Sequence, residues 1–235
     1  PWGDRYLIGT TDKKFDDDPD TVKADVGVRD GRIVALGETL GAGTKELDAS
    51  GKLVMPGGVD SHCHIDQPSS TGGRNAETFE TATRSAACGG TTSVVCFAPQ
   101  QKGVGLAEGV ASYHERARSA CIDYSFHIVI NDPNDEVVGK DLPKLIGEGH
   151  RSIKLFMTYA SNRVDDGQIL RILDVARRNE ALVCVHAGNH DAIMFMTDKL
   201  LAAGLNGTKY HAWCTPPLVE REATHRMIAL AELMD

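Results

Sequence analysis

The chain has 235 residues, with 33 acidic against 25 basic side chains and a formal net charge of -8. That length fits one large domain, or a domain with a small appendage, and excludes a multidomain scaffold, while an apolar share of 41% together with 24 glycines excludes intrinsic disorder. No excess of positive charge exists to neutralise a phosphate backbone, so nucleic acid and anionic membrane surfaces are poor partners.

The start, Pro1 to Lys14, lacks the apolar run of a signal peptide, and no stretch approaches the ~18 apolar residues that would span a bilayer. A cytoplasmic chain is expected. Asp16-Asp17-Asp18-Pro19-Asp20 lacks the glycine and distal glutamate of a calcium loop and reads as a solvated loop tip. Next, Ala24 to Arg29 alternates, Asp30-Gly31 signals a hairpin turn and Arg32 to Gly37 returns. Residues 1–53 therefore read as a small β unit.

From Leu53 onward strands and helices alternate, giving a second domain over residues 54–235. Strands are expected to begin near Val54, Thr92, Asp123, Ser152 and Leu182, at spacings of 38, 31, 29 and 30 residues. Amphipathic helices are expected over Thr78 to Cys88, Leu106 to Ala120, Asp166 to Asn179 and Ala192 to Ala203. Continuous apolar runs such as Ser93 to Ala98 and Leu182 to Val185 suit parallel strands buried on both faces. The stretch Lys209 to Pro217 reads as irregular and Glu220 to Met234 as a helix. Six cysteines form no C-x-x-C pair and mostly sit in apolar runs, as reduced core thiols would.

Both a doubly wound open sheet and a (β/α)8 barrel fit this alternation. No glycine-rich phosphate loop supports the first, and polar residues gather at the carboxyl ends of several strands as a barrel active site requires. The 182 residues after position 53 fall short of the ~250 of a whole barrel, so about five βα units of an incomplete TIM barrel are expected, the front part of something longer.

Three strand ends carry candidate metal chemistry. In Asp60-Ser61-His62-Cys63-His64-Ile65-Asp66, alternation puts His62 and His64 on one face and Cys63 on the other, so two imidazoles can share a metal; a pair of ordinary strand-end histidines is the alternative. Lys154 interrupts the apolar strand Ser152 to Met157. A desolvated lysine gains neutral amine, which can capture carbon dioxide as a carbamate and become an anionic ligand bridging two metals, although buried lysines more often pair with carboxylates. His186 ends a third strand, Val183-Cys184-Val185-His186. Convergence at one barrel mouth favours a metal centre over three independent accidents.

Val54-Met55-Pro56-Gly57-Gly58-Val59-Asp60-Ser61-His62-Cys63-His64, Lys154-Leu155-Phe156-Met157-Thr158-Tyr159, His186-Ala187, Tyr210 to Trp213 and Val219 to Thr224 together resemble the cyclic amidohydrolases of the dihydropyrimidinase and D-hydantoinase kind. The likeness runs over nearly the whole chain. It implies a metal-dependent TIM barrel joined to part of a β-sandwich, with two zinc ions: His62 and His64 hold one, N6-carboxylated Lys154 bridges, and His186 holds the second. It further implies Tyr159 as hydrogen-bond donor to the transition state, a small cyclic amide or ureide substrate, and a homotetramer. The reaction implied is ring opening to an N-carbamoyl amino acid by a metal-bridging hydroxide.

The resemblance also calls for a later histidine and a proton-shuttling aspartate that this sequence does not contain, so the 235-residue segment alone is expected to be inactive. Gly188 stands where relatives commonly carry glutamate, and Arg163 where several hydantoinases have an aromatic gating residue. Allantoinase and dihydroorotase are the near rivals; the continuation Ile65-Asp66-Gln67-Pro68 lacks the arginine that dihydroorotases usually place there. A non-catalytic interaction protein of the same fold is the rival from another class, disfavoured by retention of His62, His64, Lys154 and His186.

Overall fold

The computed structural model describes residues 24–68 and 72–234; the amino-terminal segment and the acidic stretch Asp16 to Asp20 lie outside them. The chain divides into two compact units, one of residues 1–94 with 119–124 and one of residues 95–118 with 125–235.

In the first unit, β1 (Asp25–Arg29) and β2 (Arg32–Gly37) pair antiparallel with a register shift between Gly27 and Val28. Asp30 and Gly31 join them with φ of 48° and 73°, the left-handed pair that a tight two-residue hairpin turn requires. The first strand of the βα series, β3, covers Gly58–Cys63 and so starts four residues later than expected. Pro56 has no N–H to give a ladder, and Gly57 lies so close to its neighbour that a Cβ there would sit 1.9 Å from Thr92 Oγ1. Pairing begins when the Gly58 N–H donates to the Gly90 carbonyl at 2.9 Å. Helix α1 (Phe79–Cys88) is opened by a reciprocal capping box between Thr78 and Thr81 and buries Phe79 and Thr83.

Strands β4 (Thr91–Pro99), β5 (Asp123–Val129), β6 (Ser152–Phe156) and β7 (Leu182–His186) follow, and the five βα strands form one sheet in the order β3-β4-β5-β6-β7. Sequence neighbours are sheet neighbours, and β5–β6 and β6–β7 are parallel, as in the first five strands of a (β/α)8 barrel.

The core belongs to the second unit. Helix α2 (Leu106–Ala117) presents Leu106, Val110, Tyr113 and Ala117 at a helical spacing, and α4 (Asp166–Arg178) buries Ile169, Ile172, Val175 and Ala176 behind an Asp165–Gln168 capping box. Between β5 and β6 a π-helical turn, Val137–Asp141, runs into α3 (Leu142–Gly147). Gly139 and Pro143 disguise this helix in the sequence, yet Val137, Leu142 and Ile146 are buried. After β7 come α5 (His190–Ala202), a short turn at Thr208–Tyr210, α6 (His211–Cys214) and α7 (Pro217–Glu232).

Lys209 to Pro217 is thus more helical than its sequence suggests. α7 starts three residues before the expected Glu220, because a proline at the first helical position forfeits no hydrogen bond. None of the six cysteines is in a disulfide, but only Cys96 and Cys214 are buried, and Cys88 is exposed on α1. No helix among the described residues is long and apolar enough to cross a membrane.

Candidate active site

The first unit supplies the histidine pair. His62 is the penultimate residue of β3 and His64 follows its end, with ring centroids 5.6 Å apart at an interplanar angle of 66°. The His62 backbone N–H donates to Asp60 Oδ1 at 2.9 Å. Facing Gln67 Oε1 at 2.7 Å, His64 Nδ1 acts as the donor. A ligating histidine needs this tautomer, with one nitrogen held by a carbonyl and the other able to coordinate. The loop behind it is pinned: Asn75 Nδ2 donates to the His64 carbonyl at 2.9 Å, and Arg74 pairs with Asp66 at 3.0 Å. Asp66 adopts φ 50°, a conformation non-glycine residues enter at some cost.

The second unit supplies the lysine, the third histidine and the tyrosine. Lys154 lies mid-strand in β6, opposite Cys184 of β7, and is 6% exposed. Its Nζ sits 5.0 Å from the Phe156 ring centroid and 5.6 Å from that of Phe97. Burial pulls the Lys154 ammonium below the usual lysine range, partly opposed by the neighbouring Cys184 thiol. Phe156 pairs with His186 in register, and their rings stack at 5.6 Å and 25°.

Tyr159 brings its hydroxyl 3.4 Å from His186 Nε2. Its backbone is left-handed at φ 67°, and its carbonyl accepts N–H groups from both Asn162 and Arg163 at 2.8 Å, so the strained turn is locked in place. Arg163 itself pairs with Asp191 at 3.1 Å. Gly188 leaves little room for a side chain, since a Cβ would lie 3.2 Å from Thr158 Cγ2.

Within the first unit the structure therefore brings His62 and His64 together, and within the second it sets Tyr159 against His186, with Lys154 on the neighbouring strand β6. Among the described residues no group of three His, Cys, Asp or Glu side chains is close enough to hold a metal ion. The donor types nevertheless fit divalent ions: imidazoles plus a lysine whose burial opposes its positive charge and favours the amine that carbon dioxide captures. Sequence reasoning missed Phe97, whose ring faces Lys154 Nζ, and the Gln100–Asn131 pair that links the ends of β4 and β5. Their apolar or amide side chains carry no ligand signature, and only the pairing of strands shows where they lie.

Comparison with known proteins bears on the family and the fold. Residues 53–214 match the amidohydrolase family, and the chain belongs to that family. It is 44% identical to the D-hydantoinase of Rhizobium radiobacter over 90% of its own length and 46% of that protein's. To the dihydropyrimidinase of Rattus norvegicus it is 36% identical, over 90% of this chain and 42% of the relative.

Among solved structures, a D-hydantoinase superposes with a TM-score of 0.87 at 44% identity, covering 90% of this chain and 46% of that one. The dihydropyrimidinase from Brevibacillus agri NCHU1002 superposes with a TM-score of 0.86 at 41% identity, covering 92% and 47%. The fold is that of an incomplete amidohydrolase barrel, and the chain spans less than half the length of these relatives.

Proposed function

We propose that the whole protein is a metal-dependent hydrolase of cyclic amides, opening dihydropyrimidines or 5-substituted hydantoins to N-carbamoyl amino acids. The single observation that carries this reading is Lys154, a buried amine on a central strand, set between two aromatic rings and one strand away from the Tyr159–His186 pair. Membership of the amidohydrolase family and likeness to proteins named D-hydantoinase and dihydropyrimidinase support it.

His62 and His64 would hold one zinc ion, carboxylated Lys154 would bridge to a second, and His186 would bind that second ion. Such ions, when bound, would supply Lewis-acid chemistry for hydrolysis at neutral pH. The residues of this chain do the rest of what can be assigned. Lys154, as a neutral amine, takes up carbon dioxide and contributes anionic oxygens where a cation would repel metals. Gln67 holds the His64 tautomer that ligation needs.

Half exposed and fixed by its locked backbone, the Tyr159 hydroxyl donates to the oxyanion that develops as the amide carbonyl is attacked. None of these residues is assigned to protonating the leaving nitrogen. Assembly as a homotetramer and a cytoplasmic location complete the proposal. Its test is ring opening of hydantoin and dihydrouracil by the purified, metal-replete whole protein, with Lys154→Arg as comparison. Turnover by the wild type and its loss in the variant are expected, whereas a metal-replete wild type that opens neither ring overturns the reading.

A further inference from the structure

One side chain clasps the carboxyl ends of β4 and β5. Gln100, 4% exposed, uses its whole hydrogen-bonding capacity. Its Oε1 accepts the backbone N–H groups of Asn131 at 3.1 Å and Asp132 at 3.0 Å, and its Nε2 donates to the carbonyls of Val104 at 2.9 Å and Asp132 at 3.4 Å. Asn131 answers with Nδ2, which donates to the Gln100 carbonyl at 2.9 Å. A carbonyl only accepts, so the amide cannot be turned over and the other atom must be Oδ1. That oxygen is buried and has no hydrogen-bond partner among the described residues, a state that native interiors avoid.

Its location suggests what it faces. Val129 pairs with Lys154, and Asn131 lies two residues further along, on the same face by strand alternation and one step nearer the carboxyl end. The Lys154 head group reaches toward that level, since its Nζ approaches Phe156, two residues beyond it, at 5.0 Å from the ring centroid. Among the described residues Lys154 Nζ makes ring contacts but no hydrogen bond. One unmatched acceptor and one unmatched donor thus share a face of adjacent strands. Water does not reach Oδ1, which argues for an internal partner and against solvent or a diffusing substrate.

We propose that Asn131 is a positioning residue for Lys154, its Oδ1 accepting the N–H that remains on Nζ once the lysine is carboxylated. The inference rests on the carboxylation reading above. In that step the neutral amine attacks carbon dioxide and a nitrogen–carbon bond forms. One proton leaves the nitrogen for solvent, and the product keeps a single N–H and a carboxylate. Conjugation makes the carbamate planar, so fixing the direction of its N–H also fixes the plane in which its two oxygens lie.

The test is carbon-13 NMR of the purified whole protein equilibrated with labelled bicarbonate at one fixed pH, read as the intensity of the carbamate resonance. Asn131→Thr keeps a hydroxyl that can donate to the Gln100 carbonyl while accepting from Lys154; Asn131→Val has the same shape and can do neither. Expected are a resonance in the wild type, none in Lys154→Arg, retention within about twofold in the threonine variant and a loss of roughly fivefold or more in the valine variant. Asn131→Ala removes the acceptor without added bulk and gives the same readout if the valine variant does not fold.

Equal intensity in wild type, threonine and acceptor-less variants would overturn the role of Asn131 and leave carboxylation standing. Equal losses in the threonine and valine variants would overturn it in favour of packing alone. An absent wild-type resonance would instead overturn carboxylation, and this proposal with it.

Discussion

β3 and β6 each carry proposed metal ligands, yet they are opposite kinds of strand. Every residue of β3 except Cys63 is exposed, Val59 by 68%, and the preceding Leu53, Val54 and Met55 are half or more exposed. β6 buries Ile153, Lys154 and Leu155. In the described sheet β3 pairs with β4 alone, whereas β6 lies between β5 and β7 and contributes Ile153 and Leu155 to the main core cluster. Histidines ligate without being desolvated, so an exposed strand can carry them. A lysine becomes an amine only where water is excluded, which a central strand provides. The two strands thus differ in the surroundings they give their proposed ligands, exposed for the imidazole of His62 and buried for Lys154.

The largest effect should come from the central strand. Lys154→Arg keeps a positive charge but cannot be carboxylated, and ring-opening activity of the whole protein is expected to fall by roughly 10³-fold or more with the fold retained, checked by steady-state assay and circular dichroism. Retained activity would remove the reason for contrasting the two strands. Tyr159→Phe should follow, lowering kcat about 10²-fold with little change in KM, because the lost donor acts only on the developing oxyanion.

Packing gives a third test. In the 235-residue chain Leu155→Ala should cost ~2–5 kcal/mol in urea unfolding, whereas Val59→Ala on β3 should stay within ~0.5 kcal/mol. Comparable losses at both would break the contrast between buried and exposed strands.

The smallest expected effect concerns pH. Burial, and then repulsion from His114, press the His150 imidazole below its ordinary range, with Glu148 opposing. A depressed histidine is neutral in the folded state while the unfolded chain still takes up a proton. Its contribution to stability is therefore complete above a pH of about 6.5 and is lost as pH falls toward the lowered value. His150→Gln should flatten that part of the stability profile measured by thermal melting, and an unchanged slope would contradict the assignment.

Much of this architecture was legible in the residues. Four of the five strand starts fall within one position of expectation, since apolar runs bounded by turn residues mark central strands plainly. β3 was set too early because Val54 and Met55 look like strand residues, while the proline and the close-packed glycine that delay pairing act through a neighbouring strand. Helix α3 was hidden by Gly139 and Pro143. Among site residues, histidines and a misplaced lysine announce themselves by type, but the clasp between Gln100 and Asn131 depends on which strands lie side by side. Nor does any pattern in the sequence reveal the left-handed backbone of Tyr159.

The central claim is that a buried lysine on β6 completes a binuclear metal site. Zinc content of the purified whole protein, measured beside Lys154→Arg, tests it most directly. The account predicts about two ions per chain in the wild type and clearly less than half of that in the variant. Equal metal content in the two proteins would contradict it.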